Sequence, residues 1–75
     1  MHTGMLWFDN SQSKLTVKIQ RAAAYYEKKY GIKPDLCLVH PSMIDGTEAN
    51  APITTRPYRP VLPGHIWVGM AERQG

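Results

Sequence analysis

Residues 14–31 read KLTVKIQRAAAYYEKKYG, and this stretch decides the fold. At about 100° per residue, its apolar side chains fall in one arc, as in a helix with a single buried stripe. The members of that arc are Leu15, Ile19, Ala22, Ala23, Tyr26 and Tyr30. Gly31 suits the left-handed position after a helix, and Pro34 blocks continuation. The sequence therefore predicts one amphipathic helix from about Lys14 to Tyr30.

A second arc of the same helix contains all of its cations and one tyrosine. We name this set the cation stripe, and its members are Lys14, Lys18, Arg21, Tyr25, Lys28 and Lys29. The stripe holds no acid, whereas solvated helix faces usually mix both charge signs. This segregation suggests contact with nucleic acid or with an acidic protein, although a formal net charge of +3 is low for a committed DNA-binding domain. The alternative is a solvated face whose lysine stems shield apolar neighbours.

Apolar runs around the helix predict the strands. These runs are Met5–Phe8, Leu36–His40, Ile53–Arg56 and His65–Met70. The order is β-α-β-β or, if the Ile53–Arg56 run counts as a strand, β-α-β-β-β. We expect an α/β (α+β) fold, with the helix packed on one face of a small three- to four-stranded mixed sheet. The first two strands are predicted to be parallel and joined by a right-handed crossover through the helix, and the last two to form a hairpin.

The first two strands are apolar at every position, so they have more apolar surface than one helix can bury. Such strands are normally covered on both faces, but one helix covers only one. The proline-rich segment 57–64 and a second copy of the chain are the two candidates for the other face. Because 75 residues offer little spare material, the sequence favours a homodimer. The three-residue spacing of Pro57, Pro60 and Pro63 indicates an extended, rigid covering loop.

Length and composition restrict the domain count, the location and the cofactors that we expect for this protein. We expect a single domain over residues 1–75, with residues 1–4 and 71–75 flexible. No apolar run approaches the length needed to span a membrane, so no membrane contact is expected. The lone Cys37 excludes a disulfide within the chain and indicates a buried, reduced thiol in the cytoplasm. The spacing of histidine and cysteine fits no metal site, and no cofactor motif is present.

Polar residues follow the first two strands and form a candidate site. The members of this set are Asp9, Asn10, His40 and Ser42. If the two strands are parallel, their carboxyl ends lie on the same sheet edge, and we expect these residues to meet there, beside a helix start capped by Ser11 or Ser13. An Asp–His pair with a hydroxyl can support acid–base or nucleophilic chemistry. The alternative is that these are ordinary turn and cap residues.

Three functional hypotheses follow from these features. The first is a non-enzymatic, self-associating interaction module that contacts a polyanion through the cation stripe. The second is a small enzyme or accessory subunit that uses Asp9 and His40. The third is a subunit with a purely structural role, in which the prolines and tryptophans matter and the polar site does not.

Overall fold

The computed structural model describes residues 4–71. In chain order the helix and strands are β1 (Gly4–Phe8), α1 (Leu15–Tyr30), β2 (Leu36–Val39), β3 (Thr54–Pro57) and β4 (His65–Gly69). Two short 3₁₀ helices, Pro41–Met43 and Thr47–Asn50, lie between β2 and β3. The predicted α+β fold, with one helix and a four-stranded mixed sheet, is confirmed.

Strand β4 runs through the middle of the sheet, whose order is β1-β4-β2-β3. It pairs antiparallel with both β1 and β2, and β3 pairs parallel with β2 at the far edge. Strands β1 and β2 therefore run parallel, as predicted, with β4 between them. The predicted hairpin of the last two strands was wrong, because β3 pairs with β2 and not with β4. The composition explains this arrangement. Strand β4 buries Ile66 and Val68, whereas β3 ends on Arg56 and Pro57, which an edge strand tolerates.

The core lies between α1 and one face of the sheet. Its members are Leu15, Ile19, Ala22 and Tyr26 from the helix, and Cys37, Val39, Ile66 and Val68 from the strands. The strand residues alternate along β2 and β4, as expected when one sheet face is packed against a helix. The predicted helix stripe is confirmed at these four positions, while Ala23 is half-buried and Tyr30 is exposed.

A distant segment caps the start of the helix. The Leu15 amide donates to the Asp45 carboxylate at 3.0 Å, and the Thr16 amide donates to the Thr47 hydroxyl at 3.0 Å. These bonds satisfy two of the amide groups that a helix leaves unpaired at its first turn. The segment 45–52, whose composition suggests a mobile loop, thus folds against α1. The local caps predicted from sequence were wrong at this end.

The left-handed glycine predicted at the helix C-terminus is confirmed. Gly31 has φ 76°, and its amide donates to the Glu27 carbonyl at 2.8 Å. A residue with a β-carbon would be strained at this φ. The helix therefore ends where the sequence predicts.

The Asp45 cap makes the stability of the fold depend on pH. Hydrogen bonds from the Thr47 hydroxyl, and then from the Leu15 amide, lower the pKa of Asp45 to about 2. A carboxylate with a lowered folded-state pKa stabilises the fold above its ordinary value of 3.8, and this contribution is lost as the pH falls through about 2. Asp45→Asn keeps one acceptor oxygen but replaces the other by an amide nitrogen that cannot accept, so the bonds to Leu15 and Thr47 cannot all be kept. We therefore expect this substitution to lower Tm by roughly 2–5 °C at neutral pH. The gap between the two proteins should shrink as the pH falls.

Thermal unfolding followed by circular dichroism at neutral and acid pH measures this effect. Glu27→Gln is the matched control, because Glu27 is exposed on α1 far from its N-terminus. A difference between wild type and Asp45→Asn that is unchanged at pH 2 would contradict the cap assignment.

The chain ends lie mostly outside the described residues. Gly4 belongs to β1, and the Ala71 amide donates to the Asp35 carboxylate at 2.7 Å. For residues 1–3 and 72–75, the expected flexibility stays a prediction. Within residues 4–71, no helix is long and apolar enough to cross a membrane.

Candidate functional site

The side of the sheet opposite α1 carries a continuous apolar surface. We name it the helix-free face, and its members are Leu6, Phe8, Leu36, Leu38, His65 and Trp67. The strand register places Leu6 and Leu38 on either side of Trp67, and Phe8 beside His65. Leu6 is 59% and Phe8 58% exposed. Sequence reasoning anticipated an uncovered face but did not name these residues, since their selection requires the strand pairing.

The helix-free face is closely packed within itself. The Trp67 indole lies across β1 at Gly4, where an added β-carbon would sit 2.2 and 2.4 Å from two ring carbons. The rings of Phe8 and His65 are 5.0 Å apart between centroids, at a tilt of 52°. The absence of a β-carbon at Gly4 thus allows the Trp67 indole to pack flat against β1, where it extends the apolar surface.

Gly4→Ala should displace the Trp67 ring. The new β-carbon would also approach the Val68 carbonyl oxygen to 2.8 Å, so relief requires movement of the backbone as well as the side chain. We expect a loss of about 1–3 kcal/mol in the free energy of unfolding, typical of overpacking. Urea unfolding measures the loss, and a red shift of tryptophan fluorescence reports the displaced ring. An unchanged midpoint and spectrum would contradict the packing described.

The proline-rich segment 57–64 does not cover the helix-free face. It forms two turns, in which the Val61 amide donates to the Tyr58 carbonyl at 3.2 Å and the His65 amide to the Leu62 carbonyl at 3.0 Å. The turns interrupt the predicted extended strip, and all three of its prolines are exposed. The segment leaves Leu6 and Phe8 exposed, so it is not the cover that the sequence predicted for this face.

The cation stripe lies on the side of α1 nearest β1. Arg21 Nη1 contacts Asp9 Oδ2 at 3.2 Å, just after β1, and the Tyr25 ring stands 5.2 Å from the Trp7 ring within β1. Hydrogen bonds from Ser11, and then from Arg21, lower the pKa of Asp9. Arg21 is therefore partly neutralised by the chain's own acid.

The remaining cations of the stripe differ in their surroundings. Lys14, Lys28 and Lys29 are exposed, and Lys18 is half-buried. Lys29 Nζ lies 5.4 Å from the centroid of the Tyr30 ring. Together with Tyr25, Lys28 and Lys29 line a shallow concavity. The stripe thus offers several cations to an acidic partner.

The predicted polar site does not assemble as expected. Strand β4 lies between the ends of β1 and β2, so the backbones at Asp9 and His40 are two strand spacings, about 10 Å, apart. Asp9 binds Ser11 and Arg21. His40 binds Ser42 instead: its Nδ1 lies 2.8 Å from the Ser42 hydroxyl and accepts from the Ser42 amide at 3.1 Å. Asn10 is exposed in the turn after β1.

The His40–Ser42 contact has a local structural purpose. His40 is the N-cap of the 3₁₀ helix Pro41–Met43, and its ring satisfies the first free amide of that turn. A hydroxyl beside an imidazole is also the elementary arrangement of a nucleophile and its base. The contacts of His40 described here show no third group that orients the ring, which a working pair needs. The geometry favours the cap.

Other reactive groups lie in unsuitable surroundings. Burial raises the pKa of the Cys37 thiol to about 12, so the thiolate that reacts or binds metal is suppressed. Within residues 4–71 there is no cluster of three or more histidine, cysteine or acidic residues that could hold a metal ion. A groove beside α1 is floored by Ala23, Ala24 and Ile53 and has Glu27 and Lys33 among its other lining residues.

No known family model, curated protein or solved structure matches this chain.

Proposed function

We propose that this protein is a small, non-enzymatic interaction module that forms a homodimer by stacking two helix-free faces. One observation carries the proposal: Leu6 and Phe8 are each more than half exposed on an apolar face that continues across three strands. Scattered apolar residues are normal on a protein surface, but a contiguous apolar patch marks a contact site. Two stacked sheets would pack about 10 Å apart, as in a β-sandwich.

A second copy is the occupant that suits this face best. Across β1, β4 and β2 the face holds no acid, lysine or arginine. Arg56 of the edge strand β3 lies on the same side, beside Leu38, so stacking centred on β4 leaves this cation at the rim of the contact. A two-fold axis makes one patch serve both partners.

The size of the face sets the expected affinity. Strand spacings give a patch of roughly 20 by 15 Å, or about 300 Å² in projection. A standard interface buries about 800 Å² on each partner. We therefore expect a dissociation constant in the micromolar range rather than the nanomolar range.

Sedimentation equilibrium over a range of protein concentrations tests the proposal. The average mass should rise from monomer to dimer between low and high micromolar protein. Because apolar burial drives the contact, added salt should not weaken it. A monomer that persists at high micromolar concentration would overturn the proposal, and a dimer that dissociates in moderate salt would place the contact elsewhere.

The proposed setting is the reducing cytoplasm. Cys37 is fully buried in the core, and a chain that folds around a reduced thiol needs no oxidising compartment. The alternative function, a small enzyme or accessory subunit built on Asp9 and His40, has weaker support because each of these residues is bound to other groups.

A further inference from the structure

Within residues 4–71, strand β1 forms an edge of the sheet with no strand on its outer side. The Asp9 amide donates to the Gly64 carbonyl at 2.9 Å, so the main chain of Asp9 faces β4. Main-chain groups alternate in direction along an antiparallel strand, and those of Leu6 and Phe8 therefore point away from β4. Edge strands usually prevent pairing with charges, prolines or bulges. Strand β3 has an arginine and a proline, whereas the sequence of β1, GMLWF, has neither.

The cation stripe stands beside this open edge. It contacts the sheet through the Arg21–Asp9 ion pair and the Tyr25–Trp7 ring pair. Between these contacts the helix advances four residues, about 6 Å, while the strand goes back two residues, about 6.6 Å. Helix α1 therefore runs antiparallel to β1, with one helical turn for every two strand residues.

Because one helical turn corresponds to two strand residues, the side-chain pattern of a strand added along the edge of β1 is defined. Every second side chain of such a strand would point to the helix side and meet the stripe near Arg21, Tyr25 and Lys28. The intervening side chains would lie beside Leu6 and Phe8. Acidic residues suit the first set of positions, and apolar residues suit the second.

We infer that the open edge of β1 binds an extended segment of another protein in which acidic and apolar residues alternate. Pairing with a second β1 is disfavoured, because it would bring two cation stripes together. Nucleic acid is disfavoured too, because phosphates only accept hydrogen bonds and leave the outward carbonyls of Leu6 and Phe8 unpaired. The edge binds through the main chain of β1, whereas dimerisation uses its side chains, so the two associations are measured separately.

Nuclear magnetic resonance of the ¹⁵N-labelled protein tests this inference. The probe is a short capped peptide of alternating glutamate and valine at neutral pH. Two controls keep its length and valine content: one has lysine in place of glutamate, and the other has the glutamates and valines in separate blocks. We expect saturable binding of the alternating acidic peptide alone. The amides of Leu6 and Phe8 should shift and exchange more slowly with solvent, while Thr54 and Arg56 at the other edge stay unchanged.

Charge reversal tests the part that the stripe plays. Lys18→Glu with Lys28→Glu should weaken peptide binding at least about 10-fold, given the usual contribution of exposed charge pairs. Lys33→Glu with Arg59→Glu makes the same change in net charge away from the stripe and should have little effect. Circular dichroism of both double variants checks that the fold is retained.

Three results would overturn the inference. They are equal binding of the alternating and block peptides, absence of saturation at millimolar peptide, and unchanged exchange of the Leu6 and Phe8 amides in the bound state. An oligothymidine that binds tightly, and whose binding is lost in the stripe variant alone, would show that the stripe serves nucleic acid instead.

Discussion

Replacing Leu6 by lysine weakens self-association at least about 100-fold and leaves the fold intact, if two helix-free faces stack as proposed. Leu6 is 59% exposed in the single chain, so an ammonium group there remains in water in the monomer. In the dimer, the two-fold axis would bury a lysine from each partner in an apolar contact. Burying unpaired charge is costly, and the cost would fall only on the dimer.

The matched control for this experiment is Ile32→Lys. Ile32 is 49% exposed but lies just after the helix and belongs to no strand of the sheet. Sedimentation equilibrium of both variants compares their dissociation constants, and circular dichroism compares their folds. Equal weakening by the two substitutions, or a Leu6→Lys protein that still dimerises like wild type, would contradict the proposed interface.

Replacing Ile19 by alanine should have the largest effect on stability. Ile19 is fully buried in the second turn of α1, within the core cluster that also contains the strand residues. Removing a buried isoleucine side chain down to alanine costs about 3–4 kcal/mol, which combines the lost burial with the cavity left behind. A domain of 75 residues is expected to have a total stability of about 4–11 kcal/mol. The substitution therefore removes a large share of it.

Urea unfolding at low protein concentration, where dimer formation adds little, measures this loss. Ile32→Ala deletes the same atoms at an exposed position and should change the free energy of unfolding by less than about 0.5 kcal/mol. Comparable losses for the two substitutions would contradict the placement of Ile19 in the core.

The helix and strands were predictable because their signals are local. The spacing of Leu15, Ile19 and Tyr26 identifies the buried stripe, and Gly31 marks the end of α1 at a φ of 76°. The helix start was not predictable in the same way. Its cap comes from Asp45, thirty residues away in the chain, and no local pattern announces such a partner. The flanking serines were the natural local candidates and lie outside the cap.

The candidate site was only partly predictable. The sequence shows an excess of apolar strand residues over what one helix can cover, but alternation alone does not separate Leu6 and Phe8 from the core residues beside them. The polar set comes together only in part, since His40 contacts Ser42 but Asp9 binds other groups. Placing Asp9 beside His40 required β1 and β2 to be neighbours, and β4 lies between them.

The amphipathic helix, the three apolar strands Met5–Phe8, Leu36–His40 and His65–Met70, and the shortage of cover for the first two were determined by the sequence alone, because each follows from residue type and local spacing. The strand order, the Asp45 cap and the composition of the helix-free face were decided only by the tertiary structure. These features depend on pairings between residues far apart in the chain. Such pairings depend on which strand gains most stability from having a partner strand along both of its edges. Here that strand is β4, and its central position brings Leu6, Leu38 and Trp67 together on one face.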